Sequence, residues 1–314
     1  MKVFDAAATR AALPFPALID ALRRLFAAGC EVPRRHVHAM GSGNAPVTSL
    51  LMPAWTELHY GVKVVNIAPG NAALGLPGLH ASYLLHDART GVPLALIDGD
   101  EITARRTAAA SALAASFLAR SDARHLLVVG AGKVAAMLPG AYRAVRPIDT
   151  VTVWARSKDK AEARAEDLRH QGFEARAAVD LATAARQADI VSCATLATAP
   201  VVLGRWLKAG SHLDLIGSFT PAMREADDDC FVDAALYVDT DEALEKSGDL
   251  LGPLSRGVLA AGDVRGTLAA LVRGDAQGRR NDVERTVFKS VGTALEDLAA
   301  AILVVGSSWD ATRR

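Results

Sequence analysis

Lys63 stands in an apolar run, Tyr60-Gly61-Val62-Lys63-Val64-Val65, in a chain where only eight of 35 basic residues are lysines. On a strand, alternation puts its ammonium on the face shared with Gly61 and Val65. Such a lysine either snorkels from an edge strand or is a cation kept for a ligand or a proton transfer. Arg106 lies near the start of an Ala-rich helical stretch, Ile102 to Ala119, where a cation opposes the helix dipole. That placement points to an anionic partner for one arginine of the Arg105–Arg106 pair, and the other then meets solvent. Arg35, in Val32-Pro33-Arg34-Arg35-His36, is a third cation on a strand-like segment and reads equally as half of an exposed basic pair. Taken together, Arg35, Lys63 and Arg106 can clamp a carboxylate. His36 and His38 have same-face strand spacing without a third ligand candidate nearby, so no metal site is expected.

A second chemical signal is the apolar strand His125 to Val129 running into Gly130-Ala131-Gly132-Lys133-Val134-Ala135 and then a helix. This strand–G-x-G-x-x-A–helix order is the dinucleotide fingerprint. Gly130 permits the tight turn, Gly132 lets the backbone approach a pyrophosphate, and Ala135 lets helix and strand pack closely. Lys133 and Val134 open the helix, whose free N–H groups can hold phosphates. The next strand ends Val153-Trp154-Ala155-Arg156-Ser157-Lys158, with no acidic residue to bond a ribose 2′-OH. Arg156, Ser157 and one of Lys158 or Lys160 suit a 2′-phosphate instead; otherwise they form a solvated basic turn. The expected cofactor is NADP(H), with NAD(H) possible.

The chain is 314 residues long and 51% hydrophobic, which at roughly 150 residues per domain implies about two domains. Leu18, Leu22, Leu25 and Phe26 predict an amphipathic helix ending near Ala28 before Gly29. Strands are expected over Tyr60–Ile67, Leu79–Leu85 and Leu94–Ile97, then a helix over Ile102–Ala119. From Arg124 to about Thr240, strand and helix patterns alternate, predicting a parallel sheet with helices on its faces. The tail reads as a short strand and an apolar helix from about Ser290 that returns to the first domain. The expected division is 1–120 with 285–314, and 121–284. Val64 to Leu85 carries no formal charge, but Pro69, Gly70, Asn71, Gly75, Pro77 and Gly78 break it, so it reads as buried strands joined by a loop rather than a membrane span.

Basic and acidic residues balance at 35 each, without the excess that phosphate-backbone binding needs, so nucleic acid is not an expected partner. Cys30, Cys193 and Cys230 are widely spaced, with neither disulfide nor zinc patterning, which fits a reducing, cytoplasmic compartment. The charged N-terminus lacks a signal peptide's apolar region. Asp227-Asp228-Asp229 reads as a solvated charge run.

Further segments complete a resemblance across almost the whole chain: Pro33-Arg34-Arg35, Gly61 to Asn66, Leu79-His80-Ala81, Thr103 to Ala109, Gly130-Ala131-Gly132, Gly217-Ser218 with Pro221, and Thr286 to Gly292 followed by Ala294-Leu295-Glu296-Asp297. The sequence resembles the ornithine cyclodeaminase/mu-crystallin family. That resemblance implies an α/β fold in which a Rossmann dinucleotide-binding domain is inserted into an α+β substrate-binding and dimerisation domain, and a homodimer. It implies that Arg35, Lys63 and Arg106 bind the carboxylate beside the nicotinamide, that Lys63 handles protons at the reacting nitrogen, and that Ser218 orients nicotinamide or substrate. Two departures separate this chain from the cyclodeaminases. Phe219 stands where they place an aspartate for ornithine's amino-group chemistry, and Arg156-Ser157-Lys158 replaces the acidic residue suited to an internally recycled NAD. Gly217-Ser218-Phe219-Thr220-Pro221 looks more like the reductases of cyclic imino acids, with Phe219 as an apolar wall. The expected activity is NAD(P)H-dependent reduction of pyrroline-2-carboxylate or piperideine-2-carboxylate. The alternatives are ornithine cyclodeamination, an NADP-dependent small-molecule binding protein without turnover, and opine- or alanine-type dehydrogenation.

Overall fold

A computed structural model describes residues 1–41 and 46–311. The chain divides into two compact units, Met1–Arg106 with the segment from Thr293, and Thr107–Gly292.

The first unit is built on strands β1 (Lys2–Phe4), β2 (His36–Met40), β3 (Val47–Trp55), β4 (His59–Ile67), β5 (Leu79–Asp87) and β6 (Pro93–Asp98). They form one sheet in the order β1-β6-β5-β4-β3-β2, antiparallel except where β1 runs parallel to β6. Helices α1 (Ala6–Ala12) and α2 (Phe15–Ala28), with the start of α3 (Gly99–Leu118), complete its first segment. In α2, Leu18, Leu22 and Phe26 fall on one buried face, and Gly29, at φ 77°, closes the helix by donating its N–H to Leu25. In β4, Gly61, Lys63 and Val65 are buried while Val62 and Val64 are only half-buried, the alternation a one-sided sheet requires. The Pro69–Leu74 turn separates β4 from β5, and among the described residues no helix is long and apolar enough to cross a membrane.

The second unit holds β7 (His125–Val129), β8 (Thr150–Trp154), β9 (Glu174–Ala177), β10 (Ile190–Cys193), β11 (His212–Leu215), β12 (Ala234–Val238), β13 (Val264–Thr267) and β14 (Arg285–Lys289). All eight run parallel, in the order β13-β12-β14-β11-β10-β7-β8-β9. Between them lie α4 (Lys133–Arg143), α5 (Lys158–His170), α6 (Leu181–Gln187), α7 (Ala243–Lys246), α8 (Gly248–Ser255) and α9 (Leu268–Arg273). Leu126 to Val129 are all fully buried, as central strands covered on both faces must be. The strand order reverses at β7, where β8 and β9 lie on one side and β10 and β11 on the other, which makes the turn after β7 the topological switch point.

The last helix, α10 (Ala294–Ala311), belongs to the first unit and packs on α2, β3 and β4. The division differs from the sequence expectation at both ends. The first boundary falls inside α3 rather than at 120, and β14 lies in the parallel sheet between β11 and β12, so only the helix returns.

Candidate active site

Lys63 and Arg106 meet on one carboxylate. Lys63 Nζ lies 2.7 Å from Asp297 Oδ2, and Arg106 donates from Nε to Asp297 Oδ1 at 2.9 Å and from Nη1 to Glu296 Oε2 at 2.5 Å. Lys63 is 1% exposed and Arg106 6%, so neither is a snorkelling surface cation. Strand alternation turns Lys63 inward, between Met52 of β3 and Tyr83 of β5. Its neighbour Gly61 is required because Tyr83 fills the adjacent space: a Cβ there would lie 2.0 Å from the Tyr83 hydroxyl.

Arg106 sits two turns into α3, which begins at Gly99, so its position is not explained by the helix dipole. The explanation is Glu296 and Asp297, both buried in the first turn of α10, where acidic residues also suit the helix terminus. Arg105 goes elsewhere: its Nε donates to the Leu13 carbonyl at 2.8 Å and its guanidinium lies over the Phe15 ring.

Burial pushes the Lys63 ammonium down to about 8, aided by the Arg106 charge and opposed by Asp297. Burial also works against the Arg106 charge, but Asp297 and Glu296 outweigh it and hold the guanidinium firmly protonated. Asp297 stays below the usual carboxylate range despite its burial, because Lys63 and Arg106 face it. Two cations and two anions leave this cluster formally neutral. Arg106 Nη2 makes no hydrogen bond among the described residues, so one edge of a planar fork suited to carboxylates remains to be used.

Arg35 is half-buried and immediately precedes β2. His36 opens the cross-strand row His36–Leu51–Val64; Arg35 is therefore next to the Met52–Lys63–Tyr83 row, two strands from Lys63, roughly 10 Å at the usual strand spacing.

In the second unit, Gly130 has φ 125°, and a Cβ there would lie 2.5 Å from the Ala194 carbonyl oxygen, so only glycine fits the turn. Its N–H donates to Trp154 at 2.8 Å, fixing the end of β7 against the end of β8. Gly132 caps α4 without a side-chain hydrogen bond and faces open space. The first turn of α4, at Lys133 and Val134, thus lies beside a glycine cradle, an arrangement that fits a pyrophosphate. Arg156, Ser157, Lys158 and Lys160 are all exposed just beyond β8. The Ser157 hydroxyl accepts from the Lys160 N–H at 3.4 Å, capping α5.

Ser218 lies in the loop after β11. It is fully buried, and its hydroxyl donates to the Met223 carbonyl at 2.6 Å, lies 3.1 Å from the Ser247 hydroxyl and accepts from Asp249 N. That side chain is engaged inside its own unit, where it holds its loop. Phe219 beside it is 38% exposed. The Asp227–Asp229 run differs from the expectation, for it is partly structural: Asp227 accepts from Gly204 N, and Asp228 pairs with Arg224 and Arg256. The counter-ions Glu296 and Asp297 were missed as functional residues, although two acids opening an otherwise apolar helix are a readable sign of buried cations waiting for them.

The model of the ornithine cyclodeaminase/mu-crystallin family matches residues 16–311. A Delta(1)-pyrroline-2-carboxylate reductase of Paracoccus denitrificans is 44% identical over 288 residues, covering 90% of this chain and 89% of that protein. The structure of Thermococcus litoralis Delta(1)-pyrroline-2-carboxylate reductase in complex with NADH and L-proline superposes with a TM-score of 0.93 at 34% identity, covering 99% of this chain and 98% of that one. An archaeal alanine dehydrogenase dimer with bound NAD gives a TM-score of 0.91 at 27% identity, covering 99% and 97%.

Asp297→Asn leaves two buried cations with one full counter-charge between them. Urea unfolding should show a loss of about 3–5 kcal/mol without a change in slope, and an unchanged midpoint would mean that Asp297 does not compensate Lys63 and Arg106.

Proposed function

The chain belongs to the ornithine cyclodeaminase/mu-crystallin family, and on that premise we propose that it is an NAD(P)H-dependent reductase of cyclic imino acids, acting on pyrroline-2-carboxylate or piperideine-2-carboxylate. The observation that carries this reading is the buried Lys63–Asp297–Arg106 cluster, in a chain that also holds the glycine turn of a dinucleotide site.

The reduction adds a hydride to the C=N carbon and a proton to the ring nitrogen. When bound at the Gly130–Val134 turn, NAD(P)H supplies the hydride. Arg106 offers its remaining N–H edge to the substrate carboxylate, with Arg35 and the Lys63 ammonium as the other donors. Fixing the carboxylate orients the ring, and orientation is worth several kcal/mol of the barrier. Lys63, held near 8, can deliver a proton to the ring nitrogen at neutral pH, making the carbon electrophilic. Phe219 presents an uncharged, partly exposed ring that can neither bind an ammonium nor take a proton, which weighs against ornithine as substrate.

The finer cofactor preference rests on Arg156, Ser157 and Lys160, which lie exposed past the end of β8 with no acidic residue before Asp159. These groups favour a 2′-phosphate, hence NADP(H) over NAD(H).

We also infer a homodimer through the first unit. Val3, Leu96, Leu84, Val62 and Pro53 are successive cross-strand neighbours; they line the sheet face opposite Lys63, and Val3 and Leu96 are 70% and 37% exposed. An apolar row of this kind fits a second copy of the same sheet. Sedimentation should give twice the chain mass, and Leu96→Lys should shift it toward monomer; a monomeric wild type would refute the dimer.

The activity itself is tested by NADPH and NADH oxidation with either ketimine, beside ornithine plus NAD with ammonia detection. Ketimine-dependent oxidation without ornithine activity is expected. Because Lys63 must be charged to act as an acid, the reduction rate should be flat at low pH and fall as pH rises through about 8, and Lys63→Met should abolish that limb. In the same assay, Arg156→Ala should narrow the NADPH preference by roughly tenfold, since hydrogen bonds between charged groups contribute about 1.5–3 kcal/mol. Ammonia release from ornithine without ketimine reduction would overturn the assignment.

A further inference from the structure

Glu225, Lys289 and Asp249 are all fully buried in the second unit, at the C-terminal ends of the parallel strands. Glu225 joins two loops with its two oxygens: Oε1 accepts from Thr195 N and Oγ1, both at 2.7 Å, and Oε2 accepts from Gly217 N at 2.6 Å. Thr195 follows β10 and Gly217 follows β11. The fit is close enough that a Cβ on Gly217 would lie 2.0 Å from the Thr195 carbonyl oxygen and 2.4 Å from Glu225 Oε1. The β10 loop in turn abuts the glycine turn, since Ala194 O is the atom that a Cβ at Gly130 would strike.

Glu225 is itself held in place. Asp249 Oδ1 accepts from the backbone N–H groups of Glu225 and Ala226 at 2.8 and 3.0 Å. Lys289 Nζ donates to the Leu215 carbonyl at 2.9 Å, two residues before Gly217, and lies 3.5 Å from Asp249 Oδ2. Burial pushes the Glu225 carboxyl up and Lys289 opposes that rise. Three buried charges at one strand end are costly unless they hold something, and what they hold is two loops on the β10–β11 side of the switch point. A dinucleotide lying across such a crevice puts its two halves on opposite sides of the glycine turn. With the Arg156 segment on the β8 side taking the adenosine ribose, the β10–β11 loops face the nicotinamide half.

We propose that Glu225, braced by Asp249 and Lys289, is a positioning residue that sets the two loops receiving the nicotinamide end of the cofactor, by gripping Thr195 and Gly217 with one carboxylate. This rests on the reading that the second unit binds NAD(P)H. Glu225→Gln replaces one acceptor oxygen with an NH2 group, leaving one of the gripped N–H groups unpaired while keeping the shape.

The test is a calorimetric titration of full-length wild type and Glu225→Gln with NADPH and with 2′-phospho-ADP-ribose, which lacks the nicotinamide. The variant should bind NADPH roughly tenfold more weakly, the cost of one buried unpaired donor, and the fragment as tightly as wild type does. Glu225→Asp should not restore NADPH affinity, because a shorter chain cannot span both loops. If Glu225→Gln does not fold, Thr195→Val, which removes one of the three donors, should show the same selective loss at smaller amplitude. Equal weakening of both ligands, or of neither, overturns the proposal. A wild type that fails to bind either ligand refutes the dinucleotide reading itself.

Discussion

Asp297 is shared by two buried cations, and the first unit is arranged around that constraint. A buried ion cluster contributes little net stability because desolvation offsets the attraction, yet removing one member is expensive. Arg106 and Asp297 are 191 residues apart in sequence, so the cluster exists only when the two segments of this unit come together. The strand that carries Lys63, the helix that carries Arg106 and the returning helix that carries Glu296 and Asp297 are thereby tied at one point. Burial lowers Lys63 to about 8 against the pull of Asp297, whereas Asp297 and Glu296 outweigh burial at Arg106 and keep it charged.

The second unit uses buried polar groups differently. Asp214 on β11 accepts hydrogen bonds from Ser111 of α3, Tyr142 of α4 and Ser192 of β10, fastening helices to the sheet. Burial pushes its carboxyl up to about 6 against those three hydrogen bonds. At the strand ends, Glu225, Asp239 and Asp249 accept from backbone N–H groups of loops. Loops carry unpaired backbone donors that a sheet cannot satisfy; these carboxylates satisfy them and fix the loops at the strand ends.

Much of this was legible in the sequence where a local pattern reported a local structure. The β7–turn–α4 signal placed Gly130 and Gly132 correctly because the turn's steric needs involve only adjacent residues and one neighbouring strand. The central strands were readable as apolar runs, whereas the edge strands β9, Glu-Ala-Arg-Ala, and β13, Val-Arg-Gly-Thr, were not, since an edge strand is short and polar. Strand β3 was hidden by Pro53, which is tolerated because the register of β2 on β3 stops at Leu51. Lys63 stood out as a lone lysine in an apolar run, but nothing near it in sequence disclosed Asp297. The surroundings of Ser218 were hidden for a similar reason: its partners Met223, Ser247 and Asp249 lie on separate stretches of chain, and only the fold brings them together.

The role proposed for the Lys63–Asp297–Arg106 cluster is to receive a ring carboxylate. The most direct measurement is a calorimetric titration of pyrrole-2-carboxylate, a flat analogue of the substrate ring, into the NADP+-loaded wild type and Arg106→Lys. The variant keeps the charge that Glu296 and Asp297 require but loses the planar fork. Wild type should bind the analogue and the variant should bind it roughly tenfold or more weakly, as expected for losing charge-assisted hydrogen bonds, with an unfolding midpoint close to that of the wild type. Equal affinity in the two proteins would contradict that role.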